Sequence, residues 1–170
     1  MDDALVNKVA NSGIKTINLE KMIPEGEMMS WDIKQALFME MVLKEKDFRA
    51  YVKEFDWTQF QGANVAIYSS VDAIIPTWAF MLLSTKLNGI AKYIYFGTQQ
   101  AMENDLWARQ IEGENWEKYT GDRVVIKGCG DVLISPSAYM KITERLLPIA
   151  QSIMYGEPCS TVPIYKKPKA

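Results

Sequence analysis

The chain has 170 residues, enough for one domain with a proper core, and its 48% apolar and 24% charged residues suit a soluble globular protein. Its net charge of −2, with acids and bases interleaved, offers no basic face for nucleic acid. It has no histidine, which excludes Ser-His-Asp and Cys-His catalysis and any His-ligated metal.

In chain order, Asp3 to Asn11 reads as a short helix with Leu5, Val6, Val9 and Ala10 on one face. Lys15 to Leu19 alternates like a strand. Met22 to Met29, with Pro24 and Gly26, reads as a loop. Asp32 suits an N-cap for a segment reaching about Leu43, where helix and strand patterns are hard to separate. Phe48, Tyr51, Val52 and Phe55 then recur with the period of an amphipathic helix.

From Asn64 the pattern is regular. Val65 to Tyr68, Lys92 to Phe96, Arg123 to Lys127 and Ser152 to Tyr155 read as strands. Between them lie three helices. One runs from Thr77 to Leu87, and one follows Thr98 with Met102, Leu106, Trp107 and Ile111 as its stripe. The third starts at the Ser135 cap with Pro136 in its first position. Strands alternating with helices predict an α/β fold: a single three-layer domain with a mostly parallel sheet covered by helices, plus an N-terminal helical extension. Residues 1–62 would pack as a helical and extended part on a 63–170 core. No internal repeat is evident, and strand order is not readable.

Met1-Asp2-Asp3 opens no secretory signal. The longest apolar window, Ala73 to Leu83, falls far short of the ~20 residues that span a bilayer. Two cysteines are too few for a disulfide framework, so a cytoplasmic protein is expected. The basic tail Lys166-Lys167-Pro168-Lys169 reads as a solvated terminus.

If the four strands are parallel, their carboxyl ends share one edge, where ligands of open α/β sheets bind. That edge would collect Ser69-Ser70-Val71-Asp72, Gly97-Thr98, Gly128-Cys129-Gly130-Asp131 and Gly156-Glu157-Pro158-Cys159. One reading has Cys129 and Cys159 face each other, holding zinc or iron with Asp72 or Glu157, or forming a reversible disulfide. In it Cys159, Cys129 and Asp72 are the working groups. The competing reading treats the thiols as small buried hydrophobes. Asp72 as a helix cap is opposed by Pro76, so a start nearer Pro76 frees its carboxylate. Ser69-Ser70 and Gly128-Cys129-Gly130 can cradle an anion, but no phosphate-binding Gly-rich motif is present.

Ile14 to Leu19, Lys44 to Arg49, Val65-Ala66-Ile67 with Asp72 to Ala79, Val124 to Cys129, and Ser152 to Pro163 carry a resemblance. They are similar to a bacterial family catalogued as domain of unknown function 2480, over nearly the whole chain. The resemblance implies no reaction. Its members are often encoded beside iron–sulfur assembly proteins, and this implies a thiol or metal role.

The leading expectation is a metal- or thiol-dependent accessory factor with its site at the carboxyl ends of the strands. The alternative is a non-catalytic binding or scaffold protein that dimerises and uses its cysteines only for packing. A homodimer and a protein partner are the expected associations, without nucleic acid or membrane.

Overall fold

The computed structural model describes residues 13–128, 130 and 133–168. The helix expected over Asp3 to Asn11 lies outside the described residues, as does Cys129. The elements run β1 (Ile14–Asn18), β2 (Met28–Asp32), α1 (Glu45–Glu54), β3 (Asn64–Tyr68), α2 (Thr77–Leu87), β4 (Tyr93–Phe96), α3 (Gln99–Glu112), β5 (Arg123–Lys127), α4 (Pro136–Leu146), β6 (Ser152–Glu157) and β7 (Ser160–Lys166). The fold is α/β with mostly parallel sheets. No described helix is long and apolar enough to cross a membrane.

The chain divides into two compact units, Glu25–Asp105 and the pair of stretches Met1–Pro24 and Leu106–Ala170. The first holds a parallel three-stranded sheet in the order β2-β3-β4. The second holds a four-stranded sheet in the order β1-β5-β6-β7, parallel except for the antiparallel β6–β7 hairpin. The expectation of one shared strand edge is therefore corrected. Ser69-Ser70-Val71-Asp72 and Gly97-Thr98 follow strands of one sheet. Gly128 follows β5, and Gly156-Glu157 end β6, both strands of the other.

Local chemistry explains where the elements start and stop. Pro136 sits at the first helical position of α4, and the Ser135 hydroxyl accepts from the Ser137 N–H at 3.2 Å. Thr98 Oγ1 accepts from the Ala101 N–H at the start of α3. α2 begins at Thr77, just after Pro76, and Asp72 does not cap it. Two strands depart from the sequence reading. β2 runs from the end of the expected loop, Met28-Met29, to the expected cap Asp32, and it is not expected from sequence because Met, Ser and Asp give it little strand signal and only Trp31 is buried. β7 contains Pro163, which argues against a strand except at a sheet edge, and β7 is an edge.

Each unit has its own core. In the first, Trp31, Ile33, Phe48, Val52, Val65, Ile67, Leu83 and Leu87 pack together. In the second, Ile17, Leu19, Trp107, Ile111, Val124, Ile126, Ile142, Leu146 and Ile153 do so. Each fully buried Leu, Ile or Phe contributes about 1.5–3 kcal/mol on removal from water.

These two sets are copies of one pattern, which corrects the expectation of no internal repeat. β3 pairs with β4 in the register Asn64 to Tyr93, and β5 pairs with β6 in the register Arg123 to Ser152. Both residues of the pair have moved by the same 59 positions. The Gly62 N–H donates to the Ile90 carbonyl at 2.8 Å, and the Gly121 N–H to the Ile149 carbonyl at 2.9 Å. Phe80 meets Phe96 edge to face, and Tyr139 meets Tyr155 in the same way. Gly97 and Gly156, at the ends of β4 and β6, both have positive φ, 138° and 113°. The first strands correspond too. β1 lies on β5 as β2 lies on β3, each followed by a 3₁₀ turn capped by Asn18 or Asp32. The repeat is faint in sequence because the matching positions are mostly apolar and differ in identity.

Candidate functional site

In the four-stranded unit a cleft of about 640 Å³ runs along β1 toward the carboxyl ends of β5 and β6. Thr16, Ile17 and Asn18 of β1 form its floor, with Lys21 and Met22 from the turn after it. Glu114, Trp116, Lys118 and Tyr119, from the segment before β5, form one wall. Lys127, Glu157 and Pro158 close the strand-end side. A cleft of this size at strand carboxyl ends is the usual ligand position in open α/β sheets.

Lys127 ends β5 and Glu157 ends β6. The Lys127 ammonium lies 3.1 Å from both carboxylate oxygens of Glu157. Lys127 is half-buried, so the pair is more strongly held than two freely solvated charges. On the other wall the Lys118 ammonium lies 3.5 Å from Glu114 and 5.3 Å from the centre of the Tyr119 ring. Lys21 is exposed and has no ion-pair partner among the described residues. Trp116 and Tyr119 stand 6.1 Å apart, centre to centre.

The structure places Glu157 in this cleft. Pro158 and Cys159 form the two-residue turn of the β6–β7 hairpin, between paired Glu157 and Ser160. Cys159 is exposed at that tip, so it is not a packing residue. Its relation to Cys129 involves a residue outside the description. Asp72 is exposed in the three-stranded unit, after β3. Among the described residues no three Cys, Asp or Glu side chains gather as a metal-holding group.

The Ser69-Ser70 cradle is already occupied by a carboxylate of the chain. The Ser70 N–H donates to Asp32 Oδ1 at 3.2 Å, and the Lys34 N–H donates to the same oxygen at 3.0 Å. Burial pushes the Asp32 pKa up. The hydrogen bonds from Ser70 and Lys34, with the Lys34 charge, outweigh it and hold the carboxyl below its ordinary value.

Sequence reasoning missed Lys127, Lys118, Lys21 and Tyr119. Lys127 carried a usable signal: a charge closing the apolar run Val124 to Ile126 stands at the end of a buried strand.

A second, apolar groove of about 700 Å³ lies between α4 and the β6–β7 hairpin, lined by Tyr139, Met140, Leu147, Tyr155 and Ile164 among others. Met140 is 74% and Ile164 52% exposed. The Tyr139 hydroxyl donates to the Gly128 carbonyl at 2.9 Å.

The family model described as "Protein of unknown function (DUF2480)" matches residues 3–167. The chain belongs to this family. No curated protein and no solved structure matches it. Membership in the DUF2480 family agrees with the resemblance carried by the strand-end segments, and it brings no reaction with it.

Proposed function

We propose that this DUF2480 protein is a cytoplasmic accessory factor that binds a ligand in the cleft of the four-stranded unit. One observation carries the reading. Glu157, singled out at the end of a strand, reaches the wall of a cleft of ligand size and is held there by Lys127. The thiol-dependent form of the reading adds Cys159, exposed on the turn that begins with the cleft residue Pro158. The metal form adds Cys129 to Cys159 and Glu157, with zinc or iron as the ion. Its support is the donor chemistry of these side chains.

Thr16 gives a direct test, because it lies on the cleft floor and is exposed. Thr16→Trp should fill the cleft without entering the core. A small-molecule screen by thermal shift should find compounds that raise the melting temperature of the wild type and leave Thr16→Trp unmoved. Equal shifts in both proteins for every active compound would remove the reading.

The second reading is a self-associating scaffold. The apolar groove beside α4 favours it, with a second copy of this chain as occupant. The matching face of the other unit is apolar as well, with Met81 65% and Phe96 70% exposed. One chain thus carries two like faces, as self-association would use. Sedimentation velocity should then give a dimer that Met140→Lys dissociates. A monomeric wild type would end it.

A further inference from the structure

The chemistry of the ligand follows from comparing the two units position by position. The residues they share make the fold. Trp57 and Trp116 each donate an indole N–H to a backbone carbonyl five residues earlier. Val65 and Ile67 match Val124 and Ile126, and all four are buried.

The residues they do not share are the charges of the cleft. Where Lys127 ends β5, Tyr68 ends β3. The counterpart of Lys118 is Gln59, and that of Lys21 is Gln35. The carboxylates change as well: Thr98 stands for Glu157, and Phe55 for Glu114. The three-stranded unit closes the same pattern with neutral side chains at all five places. The five charges are therefore not required by the fold.

The capping residue changes in the complementary direction. Asp32 and Asn18 make the same bond, each Oδ1 accepting from an N–H two residues on at 3.0 Å. Only Asn18 lines the cleft, and it is the neutral one. A negative charge present in one copy is absent where the lysines gather. Three lysines and two glutamates thus line the cleft.

Resting on the reading that this cleft is the binding site, we propose that its ligand is a small anion, a carboxylate or phosphate on a flat apolar body. Lys127, Lys118 and Lys21 take the charge, and Tyr119 and Trp116 receive the body. Glu157 and Glu114 hold two of the lysines in position when the ligand is absent. A lysine ammonium on an anion forms a charge-assisted hydrogen bond, roughly twice as strong as a neutral one.

The test uses the intact protein and, of its five indole N–H signals in nitrogen-15 NMR, those of Trp57 and Trp116. Trp116 reports on the cleft, and Trp57 is its counterpart without the lysines. Phenyl phosphate or benzoate should shift the Trp116 signal saturably and leave Trp57 in place. The tighter of the two identifies the head group. Lys127→Gln and Lys118→Gln should each weaken binding by about tenfold. Wild-type affinity in both variants would overturn the anion assignment. A shift of Trp116 by benzylamine, with none by either anion, would overturn the ligand class and keep the site. Silence of Trp116 toward all three probes would count against both.

Discussion

Trp57 and Trp116 hold the same place in two copies of one fold. The Trp57 indole N–H donates to the Val52 carbonyl at 2.8 Å, and that of Trp116 to the Ile111 carbonyl at 2.7 Å. Each bond ties the end of a helix to the 3₁₀ turn that leads into a central strand. Replacing either Trp by Phe removes a buried donor and leaves its carbonyl short of a partner, at a cost of about 1–3 kcal/mol. Urea denaturation of Trp57→Phe and Trp116→Phe should give losses of similar size. A loss in one with none in the other would break the equivalence.

Gly156 turns the end of β6 into the hairpin at φ 113°. A Cβ there would lie 2.8 Å from the Ser160 carbonyl oxygen, which is backbone and cannot swing away. Gly156→Ala should therefore cost about 1–3 kcal/mol through backbone strain. The hairpin carries Glu157, so the same variant should loosen the Lys127 pair. Thermal unfolding checks the first effect, and the lysine side-chain NMR signals check the second.

Asp32 gives the acid side of the stability profile a definite sign. Its folded pKa lies below the ordinary value of 3.8. Its contribution is thus complete above that ordinary value and is lost as pH falls through the lower folded one. Asp32→Asn keeps the capping oxygen, as Asn18 does in the other unit, and removes the titration. Urea midpoints measured at neutral pH and below the ordinary value should fall less in Asp32→Asn than in wild type. An equal fall in both would assign the acid sensitivity to other carboxyls.

Cys159 is exposed, so iodoacetamide should label it in native protein nearly as fast as in urea. A Cys129→Ser background isolates this rate. Stoichiometric zinc or iron in protein purified without an affinity tag, lost in Cys159→Ser, would be the signature of the metal form. Slow native labelling that a chelator accelerates would point the same way.

The second half of the chain was legible because each element carried its own punctuation. Ser135-Pro136, Asn88-Gly89 and Gly97-Thr98 mark helix and strand ends that the structure keeps. Between Leu19 and Leu43 the local signals fail. Leu19–Met22 and Ile33–Ala36 are 3₁₀ turns too short for a helical period, and β2 buries one side chain of five. Glu157 was found from its place at a strand end. Lys118 and Lys21 were not, because Lys118 precedes β5 and Lys21 follows β1, a strand not counted in the expected shared edge. The repeat escaped because it lives in register and hydrogen bonds, which Tyr68 and Lys127, or Thr98 and Glu157, do not reveal by identity.

The pairing of β1 with β5 also orders events during synthesis. Ile14–Asn18 leaves the ribosome before any of Glu25–Asp105, yet its partner Arg123–Lys127 emerges after all of it. The three-stranded unit has its full strand set while β1 is still a lone strand. Completing the other sheet then requires a loop closure over the whole intervening unit, a step whose entropy slows folding. Through that interval the polar residues Lys15, Thr16 and Asn18 leave β1 a poor template for pairing with other chains.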